Sequence, residues 1–406
     1  MIPRCIAFLN PVAELGGGEQ SLLRILRVLN RHSPATQCHL LVGGDGPLIE
    51  AARNAGAIVE QFPLGSSTAR LGDSGGKLQS LARLAIAAPR AMISARHTIG
   101  WLRTWFSSTE PDLIHSNGMK THLLSAWSRP DAVPLIWHIR DFPSQRPLMR
   151  RLLRHAGRRA TLAIANSDAV ATDARSVFPH PLVTTLHNMV DTEAFTPQGE
   201  AVDLDRLAGL PAAEPSTVRI GLVATYAHWK GHDVLLRAVA QLNTTGKHRL
   251  YLVGGPIYAT VGSQFSREEL TKLVHSLGLQ DRVGFVPFQV ATPPVYRALD
   301  LVVHASTRPE PFGLCIVEAM ACGRAVIVAA GGGAAELFTD GIDALGHEPG
   351  NIDSLTRALD RLLSDDFLRQ RLGTRARQTA VQRFSEGPFA KNLLGIYERC
   401  LTPSAV

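Results

Sequence analysis

Nowhere among its 406 residues does the chain hold a run of about 18 apolar residues, the length a membrane-crossing helix requires. Cysteine is scarce and odd in number: five in all, with no C-x-x-C pair, which argues against a disulfide framework and against a cysteine zinc site. Cys315 and Cys322 therefore read as buried small hydrophobes. Charged residues make up only 19% against 45% hydrophobic, which excludes a disordered chain. Residues 1–11 carry one arginine and an apolar stretch only from 5 to 9, too short for a signal peptide and better read as a first strand. A cytoplasmic location is the expectation. The glycines near the start, Gly16-Gly17-Gly18, lack the last glycine of G-x-G-x-x-G because Ser21 stands there, so a dinucleotide fingerprint is absent.

Acidic residues are missing altogether from 74 to 109, where Lys77, Arg83, Arg90, Arg96 and Arg103 recur at six or seven. That spacing keeps them near one helical face, with Pro89 expected to break or kink the helix. A second basic cluster follows at Arg150, Arg151, Arg154, Arg158 and Arg159. The net charge of +7 is uneven: residues 1–200 hold 21 basic against 15 acidic residues, and residues 201–406 hold 21 against 20. Three readings stay open here. The helix faces are ordinary solvated ones, or they meet anionic lipid headgroups as an amphipathic basic surface. Nucleic-acid binding is the outsider, since no recognised motif accompanies the charge.

What the sequence does have is alternation of short apolar runs with helical periodicity, the pattern of an α/β fold with parallel sheets. The length suggests two domains. The most informative stretch is 304–336. Residues 299–303 read as a buried strand, 306–311 as a polar loop, 312–321 as a helix stopped at Gly323, and 325–330 as a second strand before three glycines. Ligands bind in such sheets outside the carboxyl ends of the strands. Gly313 permits close approach, and the first helical turn favours an anion, a diphosphate being the natural guest. Glu310 and Glu318 flank this turn, and on one helix they would stand ~12 Å apart along its axis. That exceeds the roughly 5–9.5 Å of a glycoside-hydrolase pair, so they read as two grips on one elongated ligand. An exposed loop glutamate with a helix-face glutamate is the plainer alternative.

Elsewhere, strands are expected at 4–10, 37–42, 57–62, 113–115, 135–138, 161–165, 183–186, 218–223, 250–253 and 283–286. Residues 196–216, with Pro197, Pro211 and Pro215, read as a linker. Asp203-x-Asp205 within it matches a metal-binding pattern, although its place away from a strand end favours chance. Lys230-Gly231 heads a helix, an end that prefers anions, and a phosphate partner would explain the lysine.

Taken together, Glu310-x7-Glu318 enclosing Pro311-Phe312-Gly313, then Ala319-Met320-Ala321-x-Gly323, then Gly332-Gly333-x-x-Glu336, resemble the donor site of retaining glycosyltransferases of family 4. The resemblance implies the GT-B fold, two facing Rossmann-like domains with a C-terminal crossing helix. The boundaries expected are 1–195 for an acceptor domain, 196–216 for the linker, 217–380 for a donor domain and 381–406 for the closing helix. It also implies roles. Lys230, with the backbone at Gly313 and Leu314, would hold the donor diphosphate, Glu318 the ribose and Glu310 the sugar hydroxyls, and Phe312 would also belong to the donor site. Gly16 and Gly17 would turn toward the donor, Glu19 and Asp141 would contact the acceptor, and His138 would approach the transferred sugar. Catalytic roles thus fall to His138, Glu310 and Lys230, with no metal and no other cofactor expected.

Two departures from the family pattern stand out: Thr225 where an arginine is usual, and Met189 where a glycine is usual. The function implied is hexosyl transfer from a nucleotide sugar to a hydroxyl acceptor, a lipid-linked saccharide of polysaccharide assembly being the favoured one. Alternatives are a sugar-nucleotide epimerase of the same fold and a non-catalytic protein of the membrane surface. The partners expected are the nucleotide sugar, the saccharide acceptor and an anionic membrane surface, but no nucleic acid.

Overall fold

A computed structural model describes residues 2–64, 79–242, 247–256 and 263–402. The chain divides into two compact units, residues 1–189 with 387–406, and residues 190–386. Each is built on its own sheet of parallel strands.

In the first unit the strands are β1 Cys5–Asn10, β2 Gln37–Val42, β3 Ile58–Gln61, β4 Leu113–Asn117, β5 Leu135–Ile139, β6 Leu162–Ala165 and β7 Leu182–Thr185. They lie in the order β3-β2-β1-β4-β5-β6-β7. Side chains alternate between two cores, as the period of two demands: Ile6 and Phe8 enter one, Ala7 and Leu9 the other. The helix Gly17–His32 lays Leu22, Leu26 and Leu29 on the first core. The last helix, Glu386–Leu401, adds Phe389, Leu393, Ile396 and Tyr397 to that same core.

In the second unit the strands are β8 Val218–Val223, β9 His248–Val253, β10 Val283–Val286, β11 Leu301–His304, β12 Ala325–Ala329 and β13 Leu345–His347. Their order is β10-β9-β8-β11-β12-β13. Again the strands feed two faces, Leu301, Val303 and Ile327 on one side, Val302, Val326 and Val328 on the other. Both sheets reverse their strand order beside the first strand, between β1 and β4 and between β8 and β11. Such switch points open a crevice at the carboxyl ends of the strands.

Several expectations need correction. The helix Gln79–Thr109 runs through Pro89 without interruption. A proline there loses one hydrogen bond, but Leu102, Trp105 and Phe106 anchor the far end in the core. Of the basic stripe, Lys77 lies outside the described residues, as do the side chains of Arg83 and Arg90. β4 continues through Ser116 and Asn117, which pair in register with Trp137 and His138. β13 escaped the sequence reading, being three residues long at the sheet edge and ending in His347.

The first unit stops at 189 because Val190 N donates to Phe384 O (2.8 Å) and Phe195 packs in the second unit's core. Residues 196–216 belong to that unit as well and contain the helix Leu204–Ala208. Asp203 caps this helix, accepting from Arg206 N at 3.0 Å. Asp205 is buried and accepts from Arg249, the Tyr251 hydroxyl and Ala213 N. The Asp-x-Asp pair is therefore a piece of folding architecture.

Candidate functional site

At the switch point of the second sheet, β8 leads to a turn carrying Lys230 and β11 leads to the loop carrying Glu310. One carboxylate oxygen, Glu310 Oε2, accepts from Lys230 Nζ at 2.8 Å and from the Ser306 hydroxyl at 3.0 Å, with His304 Nε2 at 3.2 Å. Glu310 is 7% exposed. Burial on its own would raise its pKa, yet the lysine charge and the His304 bond outweigh it and hold the carboxyl well below the usual range. Lys230 Nζ also lies 3.9 Å from the Trp229 ring centroid.

Glycines place this cluster. At Gly231, φ is +74°, and a Cβ would stand 1.9 Å from Ala305 O, so this turn presses on the loop after β11 without room for a side chain. Gly332, at φ +66°, has the same relation to Glu310 O, 2.6 Å from a Cβ. The glycine turn after β12 grips the Glu310 backbone from both sides: Glu310 N donates to Gly331 O (3.2 Å) and Gly333 N to Glu310 O (2.7 Å). The triple glycine thus braces the loop.

The helix Leu314–Ala321 starts at Gly313 and has no acidic residue in its first turn to complement its positive end. Glu318, one turn in and half-buried, accepts from the Tyr296 hydroxyl at 3.1 Å. Phe312 is 2% exposed and stands edge-on to Phe384 at 6.1 Å, so its side chain belongs to the core. Lys230 and Glu310 are brought together; Glu318 takes a separate partner. Thr225 is half-buried, His228 is exposed against Phe265 (4.1 Å), and Arg308 is exposed.

The first unit carries a cavity of about 310 Å³ at its own switch point, lined by Glu19, Asn117, Gly118, His138, Arg140 and Asp141 among others. His138 is 1% exposed; its Nδ1 lies 3.1 Å from His115 Nε2 and 3.2 Å from an Arg140 nitrogen. His115 Nδ1 meets the Tyr397 hydroxyl at 2.8 Å, and His122 Nδ1 meets the Ser116 hydroxyl at 2.7 Å. Burial, then the Arg140 charge, pushes all three imidazoles down, His122 to about 3. Burial likewise lowers Arg140, to about 10.

Glu19 turns back to its own helix, accepting from Gly16 N (3.1 Å) and from Asn10 Nδ2 (3.3 Å). Gly17 is exposed in the first turn of that helix. Asp141 pairs with Arg146 at 3.1 Å and accepts from Phe142 N at 2.9 Å. Met189 is buried, and its carbonyl accepts from Arg24 at 2.7 Å. All five cysteines are unbonded, with Cys322 fully buried and Cys315 half-buried. Among the described residues no helix is long and apolar enough to cross a membrane.

Sequence reasoning gave no role to His115, His122, Arg140, Tyr397, His304, Ser306 or Tyr296. A signal existed for two of them: His115 and His304 are polar residues that follow the apolar openings of parallel strands. Tyr397 and Tyr296 come from distant helices and leave no such mark.

Residues 213–379 match the family model of glycosyl transferases group 1, and residues 15–194 match that of glycosyltransferase family 4. The chain belongs to the group 1 glycosyltransferases of family 4. Its two Rossmann-like α/β units are those of the GT-B fold, which family members share. The chain is similar to D-inositol 3-phosphate glycosyltransferase of Mycolicibacterium smegmatis, 36% identical over 44% of this chain and 40% of that one. It is similar also to the lipopolysaccharide core biosynthesis glycosyltransferase LpsE of Rhizobium meliloti, 31% identical over 47% of this chain and 52% of that one. The chain thus spans about half the length of the curated relatives it matches. A solved relative is HepE of Anabaena, crystallised with UDP and with UDP-glucose; it is 25% identical, with a TM-score of 0.77 over 97% of this chain and 99% of that one.

Proposed function

We propose that this group 1 family member transfers a hexose, with retention of configuration, from a nucleotide sugar to a hydroxyl of a saccharide acceptor. The observation that carries the reading is the Lys230–Glu310 pair at a sheet switch point, beside a helix N-terminus whose first turn holds no acid. In this reading the amides at Gly313 and Leu314 and the Lys230 ammonium take the diphosphate, and Glu318 takes the ribose. All three donors to Glu310 fall on Oε2. Its ionised state and fixed orientation suit Oε1 to receive sugar hydroxyls. Charge then stabilises the departing diphosphate. Uridine is the base we assign, supported by the UDP that the Anabaena relative binds.

Lysine and helix terminus supply the charge that a divalent ion would otherwise bring, so turnover should survive EDTA. Loss of turnover to the chelator would overturn metal independence. The acceptor we favour is lipid-linked, in keeping with the lipopolysaccharide relative and with Arg150, Arg151 and Arg154 on the helix Pro147–Ala156, where Leu152 is 48% exposed.

The direct test is transfer from UDP-hexoses to a panel of saccharide acceptors, with NMR of the new anomeric linkage. Acceptor-dependent release of UDP with a retained anomer is the expected result. Conversion of the sugar without acceptor would instead mark an epimerase.

A further inference from the structure

The helix Leu314–Ala321 buries Ile316, Val317, Ala319, Met320 and Ala321 in the core of the second unit, while Leu314, Cys315 and Glu318 stay half-buried. Positions 314, 315 and 318 share one face of a helix, so Glu318 stands on the same stripe as Leu314. It lies roughly 6 Å further along the axis, one turn in. In the donor reading the Leu314 amide takes a phosphate, and the next turn is where the ribose of that nucleotide belongs.

Tyr296 meets this carboxylate from the core. Its ring is fully buried and packs on Phe195 at 6.0 Å, and its hydroxyl donates to Glu318 Oε2 at 3.1 Å. Burial, then the Glu318 charge, pushes the phenol well above its usual range, so it keeps its proton and donates. The helix that carries it, Pro293–Ala298, is itself clamped. Arg297 donates to Glu200 O at 2.6 Å and to Ala194 O at 3.3 Å, and Val202 N donates to Pro294 O at 3.2 Å. Residues 194–202 thus fix the short helix, and the short helix fixes the hydroxyl.

A glutamate on a half-buried face ordinarily samples several rotamers, and ordering it at the moment of binding costs affinity. The phenol holds one oxygen of Glu318 in place beforehand. A carboxylate has about four lone-pair sites, so it can accept from the phenol and from two ribose hydroxyls together. A ribose offers that adjacent pair; a 2′-deoxyribose does not.

We propose that Tyr296 is a positioning residue that makes the donor site select ribonucleotides, by fixing the Glu318 carboxylate for the ribose diol. This rests on the reading of Glu318 as the ribose contact.

The test measures dissociation constants of the full chain for UDP, GDP and ADP, each beside its 2′-deoxy form. Tyr296→Phe and Glu318→Ala are measured alongside. Tyr296→Phe keeps the packed ring, and the half-buried Glu318 can turn to water, so the variant should fold. The native chain should prefer the ribo form of its nucleotide about tenfold or more. Tyr296→Phe should cut that preference severalfold and leave the affinity for the 2′-deoxy form unchanged. Glu318→Ala, titrated to higher nucleotide concentration, should show no preference. If Glu318→Ala loses the preference and Tyr296→Phe keeps it in full, the proposal is overturned while the ribose reading stands. Equal weakening of both forms in Tyr296→Phe also overturns it, because a merely structural residue would do that. No binding, no preference in the native chain, or a preference that survives Glu318→Ala overturns the proposal and the ribose reading together.

Discussion

At the scale of single residues, Glu310 and Lys230 carry the greatest weight. Replacing Glu310 by Gln keeps the shape and removes the counter-charge of a lysine side chain that is only 18% exposed. Breaking one side of a buried pair typically costs about 3–5 kcal/mol, so denaturant melts should show a loss of that order. Transfer rate should fall at least a hundredfold; a variant with full activity would remove Glu310 from the chemistry. Because its folded pKa is depressed, the stability Glu310 contributes is complete above the unfolded value of about 4.3 and is lost only as pH falls through the folded value.

The buried histidines work in the same direction, at higher pH. Native His115, His122 and His138 resist protonation, while the unfolded chain takes up protons at about pH 6.5. Their contribution is fully present above that pH and declines below it. Each should lose about 1.4 kcal/mol per pH unit. Urea midpoints measured between pH 7 and pH 5 should fall steeply, and less so in a His122→Gln variant. A flat profile would mean these rings are solvated.

At the scale of elements, the turns decide where the charges go. Gly231→Ala places a methyl against Ala305 O on a backbone at φ +74°, and Gly332→Ala does the same against Glu310 O at φ +66°. Each should cost about 1–3 kcal/mol and displace the loop, so both stability and turnover drop, read by melting and by transfer assay. Wild-type behaviour of Gly332→Ala would show the brace to be dispensable. The same turns explain what the sequence made legible. Parallel strands buried on both faces announce themselves as apolar runs, and Gly313, Gly323 and Gly332 mark the turns that must take positive φ. Edge strand β13 and the small helix inside residues 196–216 escaped because short elements held by tertiary contacts carry little local pattern. The glutamates stood out through the linked motifs that resemble the family's donor site, not through spacing alone. Their partners His304, Ser306 and Tyr296 did not, since a hydrogen-bond partner is chosen by packing across the sheet.

At the scale of the whole molecule, both units place polar side chains at the switch point of a parallel sheet, where the fold leaves room for a ligand. The basic excess lies in residues 1–200. Of it, Arg150, Arg151 and Arg154 share one ten-residue helix with the exposed Leu152. Sedimentation with anionic vesicles should therefore occur at low salt and weaken as salt rises; no binding at low salt would end the membrane reading.

We read the second unit as a nucleotide-sugar site organised by Glu310, Lys230 and Glu318. Thermal stabilisation by a panel of nucleoside diphosphates and nucleotide sugars, with Glu318→Ala alongside, addresses it most directly. A ligand at a hundredfold excess over its Kd should add about 2.7 kcal/mol. The account predicts that UDP or its sugars give that gain in the native chain and none in the variant. Stabilisation by no nucleotide at all would contradict it, and would mean that Thr225, in place of an arginine, has left the site too weakly charged to hold a diphosphate.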